Sequence, residues 1–339
     1  MPEIENAKDQ IPLYPIRFEP IYQYRIWGGR QLTDLLTAPL PDNDPIGEAW
    51  VLSDRDDHAS LVADGLLKGQ TIGQLMKKFP EQMMGKLAGK FNRFPLLLKF
   101  LDAHEMLSVQ VHPSDRQKDF IPDGEQGKTE AWVVLESTSE SKIYAGLKPK
   151  TTAENLRQSI ANGTVEDHLS YFTPKRGDAV LLPAGTVHAL GGDIVAFEVQ
   201  QNSDVTFRLF DWNHIDAKTG KLRALQIDQA VACIDFAQGE KAKVIPVLEE
   251  QKSVLRERLF QCEYFRLWRL SGKLPFTVGE KDLPRVLVCI DGEGELEHNN
   301  TSYTIRKGDV WLLPSIVGTC MFSPYATVSL LEIALPEYK

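Results

Sequence analysis

The chain has 339 residues, 42% of them apolar and 25% charged, with a formal net charge of −9 at pH 7. That length exceeds what one hydrophobic core usually organises, so two domains are expected. The acidic balance argues against nucleic-acid binding and against a polybasic membrane surface, and an anionic ligand would need a local cationic pocket. Met1 to Gln10 is polar and acidic, without the apolar core of a signal peptide, and the densest apolar run, Phe94 to Leu101, is broken by Lys99 and too short to span a bilayer. Cys233, Cys262, Cys289 and Cys320 show no CxxC spacing, and contexts such as Val288-Cys289-Ile290 read as buried free thiols. A cytoplasmic protein, monomeric or homodimeric, is the expectation.

Twenty prolines and 24 glycines spread along the chain suit a turn-rich β protein. Residues 12–67 hold short β-like runs: Ile16-Arg17-Phe18, Ala49 to Leu52, and Ser60-Leu61-Val62. Between 71 and 90 the period changes, with Ile72, Leu75 and Met76 before Pro80 and Met83, Met84 and Leu87 after it. That spacing predicts two short helices. Phe94 to Val134 returns to strands. Thr151 and Glu154 have capping-box spacing ahead of Ala153, Leu156 and Ile160, which predicts a helical piece over roughly 151–170. Ile227, Ala230, Val231 and Ile234 form another amphipathic set, and 237–252 reads as a charged connector.

The final segment repeats an earlier one. Arg176-Gly177-Asp178-Ala179-Val180-Leu181-Leu182-Pro183 returns as Lys307-Gly308-Asp309-Val310-Trp311-Leu312-Leu313-Pro314, in identical spacing. Five residues past the proline the first copy carries His188 and the second Thr319. The repeat keeps the packing pattern and loses a metal-ligand type. It predicts a mainly β chain of two jelly-roll barrels with short helical insertions: 1–236 bearing the chemistry, and 237–339 degenerate and metal-free. The N-terminal strands are free to pack on the second barrel.

The chemistry centres on Gln110-Val111-His112. Alternation along a strand puts Gln110 and His112 on one face, about 7 Å apart. The run from Gly177 to His188 is an apolar strand, a Pro/Gly turn and a second imidazole. Two histidines need a carboxylate to offset a divalent ion, and Glu130, at the start of the strand after loop 113–127, is the best candidate.

The pattern Gly-x5-Pro-x-Gly-x2-His resembles the second cupin motif, with Gly192 where its final Asn usually stands. Trp27-Gly28-Gly29, Gly47-Glu48-Ala49-Trp50, Phe94 to Lys99, Leu107 to Pro113, Gly127 to Glu130, Pro183 to Ala189, and Glu198 through Asn202-Ser203-Asp204 to Arg208 follow in order. Together they resemble the type I phosphomannose isomerases of the short bacterial kind. The resemblance implies one Zn²⁺ per chain held by Gln110, His112, Glu130 and His188, and interconversion of mannose 6-phosphate and fructose 6-phosphate by an enediol-type proton transfer. It further implies Ser108 and Lys99 as substrate-binding residues, and Arg208, Lys128 and Glu198 as catalytic ones. Arg208 would stabilise the oxyanion or the proton transfer, while Glu198 and Lys128 both remain candidates for the base. Glu198 and Arg208 are expected in one pocket, where they could pair. Beyond Arg208, Leu209-Phe210-Asp211-Trp212 departs from the family's eukaryotic continuation and carries over no further basic phosphate ligand.

A sugar-binding or regulatory cupin with a structural metal is the competing class, though it gives Lys99, Lys128 and Arg208 no reason to converge. A cupin dioxygenase would favour iron and a His-rich set, which Gln110 and the cationic neighbours fit poorly.

Overall fold

The computed structural model describes residues 13–41 and 43–336, so the expectation for Met1 to Gln10 lies outside the described residues. The chain is mainly β, of the cupin class, with short helices between strands, as the sequence predicts. Its strands form two pairs of facing antiparallel sheets.

In the first pair, a six-stranded sheet runs Ala179–Leu182, Glu130–Glu136, Ile194–Gln201, Leu96–Ala103, Ile21–Gly29 and Ile46–Leu52; the last strand also pairs with Leu96–Ala103. Its five-stranded partner runs Leu169–Phe172, Ile143–Leu147, His188–Leu190, Val109–Val111 and Phe207–Phe210. In the second pair, a seven-stranded sheet runs from Ile16–Arg17 through Val310–Leu313, Arg285–Asp291, Val328–Ala334, Arg266–Gly272 and Val254–Gln261 to Val247–Gln251. It faces a four-stranded sheet of Phe276–Gly279, Thr319–Pro324, Glu293–His298 and Thr301–Arg306. The N-terminal Ile16 pairs with Leu312, tying the start of the chain to its last third.

The central strands of the six-stranded sheet are buried on both faces, which explains why Leu96–Ala103 is buried at every position. Alternation sends Leu96, Leu98 and Phe100, Ala131, Val133 and Leu135, and Phe197 and Val199 into a core shared with Phe260, Phe265, Leu312 and Ile333 of the C-terminal half. The intervening Leu101, Ala103, Trp132, Val134 and Ala196 face the interior of the first sheet pair.

The two predicted helices are Ile72–Lys78, capped reciprocally by Thr71 and Gln74, and Pro80–Met84. They join the shared core, and Ser315 N–H donates to Met83 O at 3.0 Å. The third helix, Ala153–Asn162, corrects the predicted cap by one residue. Thr152 and Asn155 make the reciprocal pair, while the Thr151 hydroxyl lies 3.3 Å from His168 Nδ1 instead. Gly163 ends this helix in the left-handed conformation, and a 3-10 turn over Val165–His168 follows, so the predicted helical piece to about 170 forms as two segments. Ile227–Cys233 is helical, and the connector 237–252 is corrected at its end, where Val247–Gln251 adds an edge strand opposite Val254–Gln261.

Both repeat copies fold alike. Gly177 (φ 87°) and Gly308 (φ 89°) take a conformation other residues avoid, and Asp178 and Asp309 each accept from a backbone N–H three residues upstream. His188 is buried on its strand, whereas Thr319 is exposed. The cluster of metal-ligand types found among the described residues lies in the first sheet pair alone.

The shared core carries the stability. Phe197, fully buried and 5.5 Å from Phe100 ring to ring, is expected to cost about 3–5 kcal/mol when changed to Ala. Urea unfolding followed by tryptophan fluorescence measures it, and a loss under about 1 kcal/mol would contradict a core common to both halves.

Candidate active site

Two strand rows face each other across the first sheet pair. On the six-stranded sheet, Trp50, Lys99, Glu198 and Trp132 stand opposite one another on four adjacent strands. On the five-stranded sheet, His188 stands opposite Gln110 and Gln110 opposite Arg208. Directly opposed residues point to the same face, so both rows look inward. Between them lies a cavity of about 540 Å³ whose walls include Ser108, Gln110, Lys99, Lys128, Glu198 and Arg208.

At the metal-ligand end, His188 Nε2 lies 3.1 Å from Glu130 Oε1 and His112 Nε2 3.4 Å from Glu130 Oε2. The imidazole rings are 4.9 Å apart. His112 Nδ1 donates to Val205 O at 2.8 Å and His188 Nδ1 to Thr186 O at 2.9 Å. A carbonyl only accepts, so both rings carry their proton on Nδ1 and turn the Nε2 lone pair inward. Burial first, then the Lys128 ammonium, pushes the His112 imidazole down to about 3, which keeps it neutral. Burial opposes ionisation of Glu130, but Lys128 and the two imidazoles hold its carboxyl well below the usual range. Both Glu130 oxygens and His188 Nε2 are buried without a properly directed hydrogen bond. Neutral imidazoles, an ionised carboxylate and orphaned lone pairs are what a divalent cation requires, and Gln110 adds an amide beside them.

Lys128, just past the loop 113–127, is 4% exposed, with its Nζ 2.8 Å from Glu130 Oε2 and 3.3 Å from His112 Nε2. Its loop is held from outside. Asp115 accepts from Gly127 N–H (2.7 Å), Gln201 Nε2 and the Tyr264 hydroxyl (2.7 Å), and Gln201 Oε1 accepts from Thr129 N–H at 2.8 Å. Both amides flanking Lys128 therefore hang on one carboxylate that the C-terminal half braces.

Lys99 lies within the strand Leu96–Ala103, 3% exposed. Its Nζ is 3.3 Å from Glu198 and 3.5 Å from Glu48, 5.0 Å over the Trp50 ring. Glu48 further accepts from Arg25 Nε (2.8 Å) and Trp50 Nε1 (2.6 Å), and Glu198 from Trp132 Nε1 (2.8 Å). The possible Glu198–Arg208 ion pair is thus replaced by a Glu198–Lys99 pair, because those two residues oppose each other on neighbouring strands of one sheet. Arg208, on the other sheet, has no ion pair among the described residues, and its Nε is buried without a partner.

The two glutamates beside Lys99 titrate in opposite directions. Burial raises both. Lys99 and Arg25 outweigh it at Glu48 and hold that carboxyl far below the usual range; at Glu198 the nearby Glu130 adds to burial, and the carboxyl stays raised. The sequence quoted Glu48 and Trp50 without a role and missed Arg25 and Trp132. The available signal was period-two alternation, which puts Glu48 and Trp50 on one face of an apolar strand.

The family described as phosphomannose isomerase type I, catalytic domain, matches residues 16–131, and mannose-6-phosphate isomerase, cupin domain, matches residues 256–323. The chain is 36% identical over 316 residues to mannose-6-phosphate isomerase ManA of Bacillus subtilis, covering 92% of this chain and 96% of that protein. It is 32% identical to a mannose-6-phosphate isomerase of Streptococcus mutans, covering 91% and 95%. Among solved structures, the mannose 6-phosphate isomerase from Bacillus subtilis superposes with a TM-score of 0.87 at 29% identity, covering 95% of this chain and 99% of that one.

Glu48 has its folded pKa depressed, so its stabilisation is present above the unfolded value of about 4.3 and lost as pH falls toward the folded one. Glu48→Gln is expected to cost about 3–5 kcal/mol at pH 7, as for breaking a buried ion pair. The gap to the native protein should narrow steadily below about pH 4. Urea unfolding across pH 3–8 measures this; a gap independent of pH would show that the Glu48 charge does not matter.

Proposed function

Because the chain belongs to the type I phosphomannose isomerase family and is an enzyme interconverting mannose 6-phosphate and fructose 6-phosphate, we propose that it does so as a zinc enzyme, by proton transfer between C1 and C2. The observation that carries this reading is the buried Glu130 carboxylate set between two Nε2 atoms of fixed tautomer, with Oε1 and His188 Nε2 left without a hydrogen-bond partner. Gln110, His112, Glu130 and His188 would hold the ion, the neutral amide leaving its net charge at +1 against one carboxylate. When bound, zinc supplies positive charge that polarises a substrate oxygen at C1 or C2.

Glu198 is our assignment for the proton carrier. Burial and the nearby Glu130 raise its carboxyl above the ordinary value, which makes it a better proton acceptor than Glu48, and the Trp132 and Lys99 contacts fix its orientation. Lys128 keeps Glu130 ionised and adds positive charge beside the developing enediolate. Arg208, across the cavity and without an ion pair among the described residues, stabilises the enediolate. Ser108, 3% exposed and on the cavity wall, contacts the substrate. Lys99 serves substrate binding indirectly, as the link between Glu48 and Glu198. The described residues contain no helix long and apolar enough to cross a membrane, and all four cysteines are free, which suits the reducing cytoplasm where we place the enzyme.

A coupled assay for fructose 6-phosphate, with elemental analysis, tests the reading. The native protein should carry about one zinc per chain and lose activity to a chelator. His188→Ala should lose both the metal and at least about a hundredfold in rate, since even outer partners of metal ligands matter by 10–100-fold. Full metal content with normal turnover in that variant would refute the site. Arg208→Ala should lose about 10²–10³-fold in kcat, as for an anion-stabilising donor. The same change at exposed Arg116 should do little, and equal losses at the two positions would remove Arg208 from the mechanism.

A further inference from the structure

Past the strand Phe207–Phe210 the chain turns sharply at Trp212 and Asn213, both at positive φ, and makes a small hairpin of Ile215–Asp216 with Lys221–Leu222. Tyr24 donates to Asp216 at 2.9 Å, and Lys218, ion-paired with Asp44, sits 3.9 Å over the Tyr24 ring. These contacts fasten the hairpin to the strand Ile21–Gly29. Gln226 N–H donates to Arg208 O and Gln226 Oε1 accepts from Arg208 N–H, so the segment leaving the hairpin runs alongside Arg208.

Arg223 is the first residue out of the hairpin, and it lines the cavity with Arg208, Ser108 and Thr206. Its Nε donates to Asp211 Oδ2 at 2.8 Å and its Nη2 to Asp211 Oδ1. That fork uses one edge of the guanidinium, and among the described residues Nη1 has no hydrogen bond or ion pair. Asp211 is 6% exposed, so the pair is anchored in the wall. Arg223 also acts on Arg208: burial first, then this second cation, disfavours the charge on Arg208. Two guanidinium groups thus share one carboxylate that Arg223 already occupies. The other acids on the cavity wall do not close the gap. Asp216 accepts from Tyr24, Lys218 N–H and Thr219, and Asp204 is exposed. Lys99 is enclosed by Glu48 and Glu198 and cannot serve an incoming anion as Arg208 can.

We propose that Arg223, which lines the cavity beside Arg208, binds the phosphate of the substrate and sets the preference for phosphorylated over free sugar. Arg223 presents its free Nη edge, pre-oriented by Asp211; a planar fork of this kind matches phosphate oxygens. The inference rests on the sugar-phosphate reading above and adds a residue that the sequence did not single out.

The test uses the full chain and inorganic phosphate as probe. Two variants are compared with the native protein: Arg223→Gln, and the double change Arg223→Gln with Asp211→Asn, which replaces the buried ion pair by two amides and protects the fold. Circular dichroism and thermal unfolding confirm that the double variant is folded. Calorimetric titration with phosphate is expected to show at least a tenfold loss of affinity in both variants. The KM for mannose 6-phosphate should rise at least tenfold with kcat within about threefold of native. Turnover of free mannose should fall far less than that of mannose 6-phosphate. Unchanged phosphate affinity in the folded double variant would overturn the proposal. So would a fall in kcat at constant KM, or an equal loss with free mannose. Phosphate titration requires no turnover, so a protein that binds phosphate through Arg223 yet does not isomerise would refute the isomerase reading and leave this subsite standing.

Discussion

Everything in this molecule depends on one six-stranded sheet whose central strands have no face toward water. An extended chain must send neighbouring side chains to opposite sides, so each of its strands serves two environments at alternate positions. One face closes the apolar core shared by the two halves, and the other carries charge into a cavity. A one-residue slip in any central strand would put Lys99, Glu198 or Glu130 into that core and a leucine, valine or alanine into the cavity. The hydrophobic contacts of one face therefore hold the register of the charges on the other.

That arrangement explains how charges this deep are tolerated. A lone ammonium at 3% exposure would be prohibitively costly, yet Lys99 is flanked by two carboxylates, each in turn held by a tryptophan indole. The network is not a symmetrical clamp. Arg25 lies on the Glu48 side and Glu130 on the Glu198 side, so one carboxyl is locked as an anion while the other is raised. Position relative to a third charge, more than burial, separates a structural glutamate from one suited to moving a proton.

The parts of the site legible in the sequence are those that leave a local trace. Gln110 and His112 declare themselves by spacing of two, the His188 turn by its proline and glycine, and the second sheet pair by repeating Gly-Asp, four apolar residues and proline. What could not be read depends on pairing between distant strands. Lys99 opposite Glu198 across 99 positions of chain, Arg25 beside Glu48, and Arg223 returning to Asp211 through a hairpin have no signature in spacing. The capping shift from Thr151 to Thr152 is of the same kind: adjacent threonines are equivalent locally, and a contact with His168, sixteen residues past Thr152, separates them. The edge strand Val247–Gln251 was hidden because its charged residues satisfy an exposed sheet edge as readily as a linker.

Tyr264 changes the standing of the C-terminal half. By composition it is a copy that lost its ligand, yet its tyrosine hydroxyl braces Asp115, which suspends both amides around Lys128. The ion-binding half is thus not a transplantable module. Cut at the connector, it would expose the shared core to solvent and strip one of the donors from a carboxylate two bonds removed from the site. The second sheet pair acts as a jig, holding its sibling's loop at a fixed height.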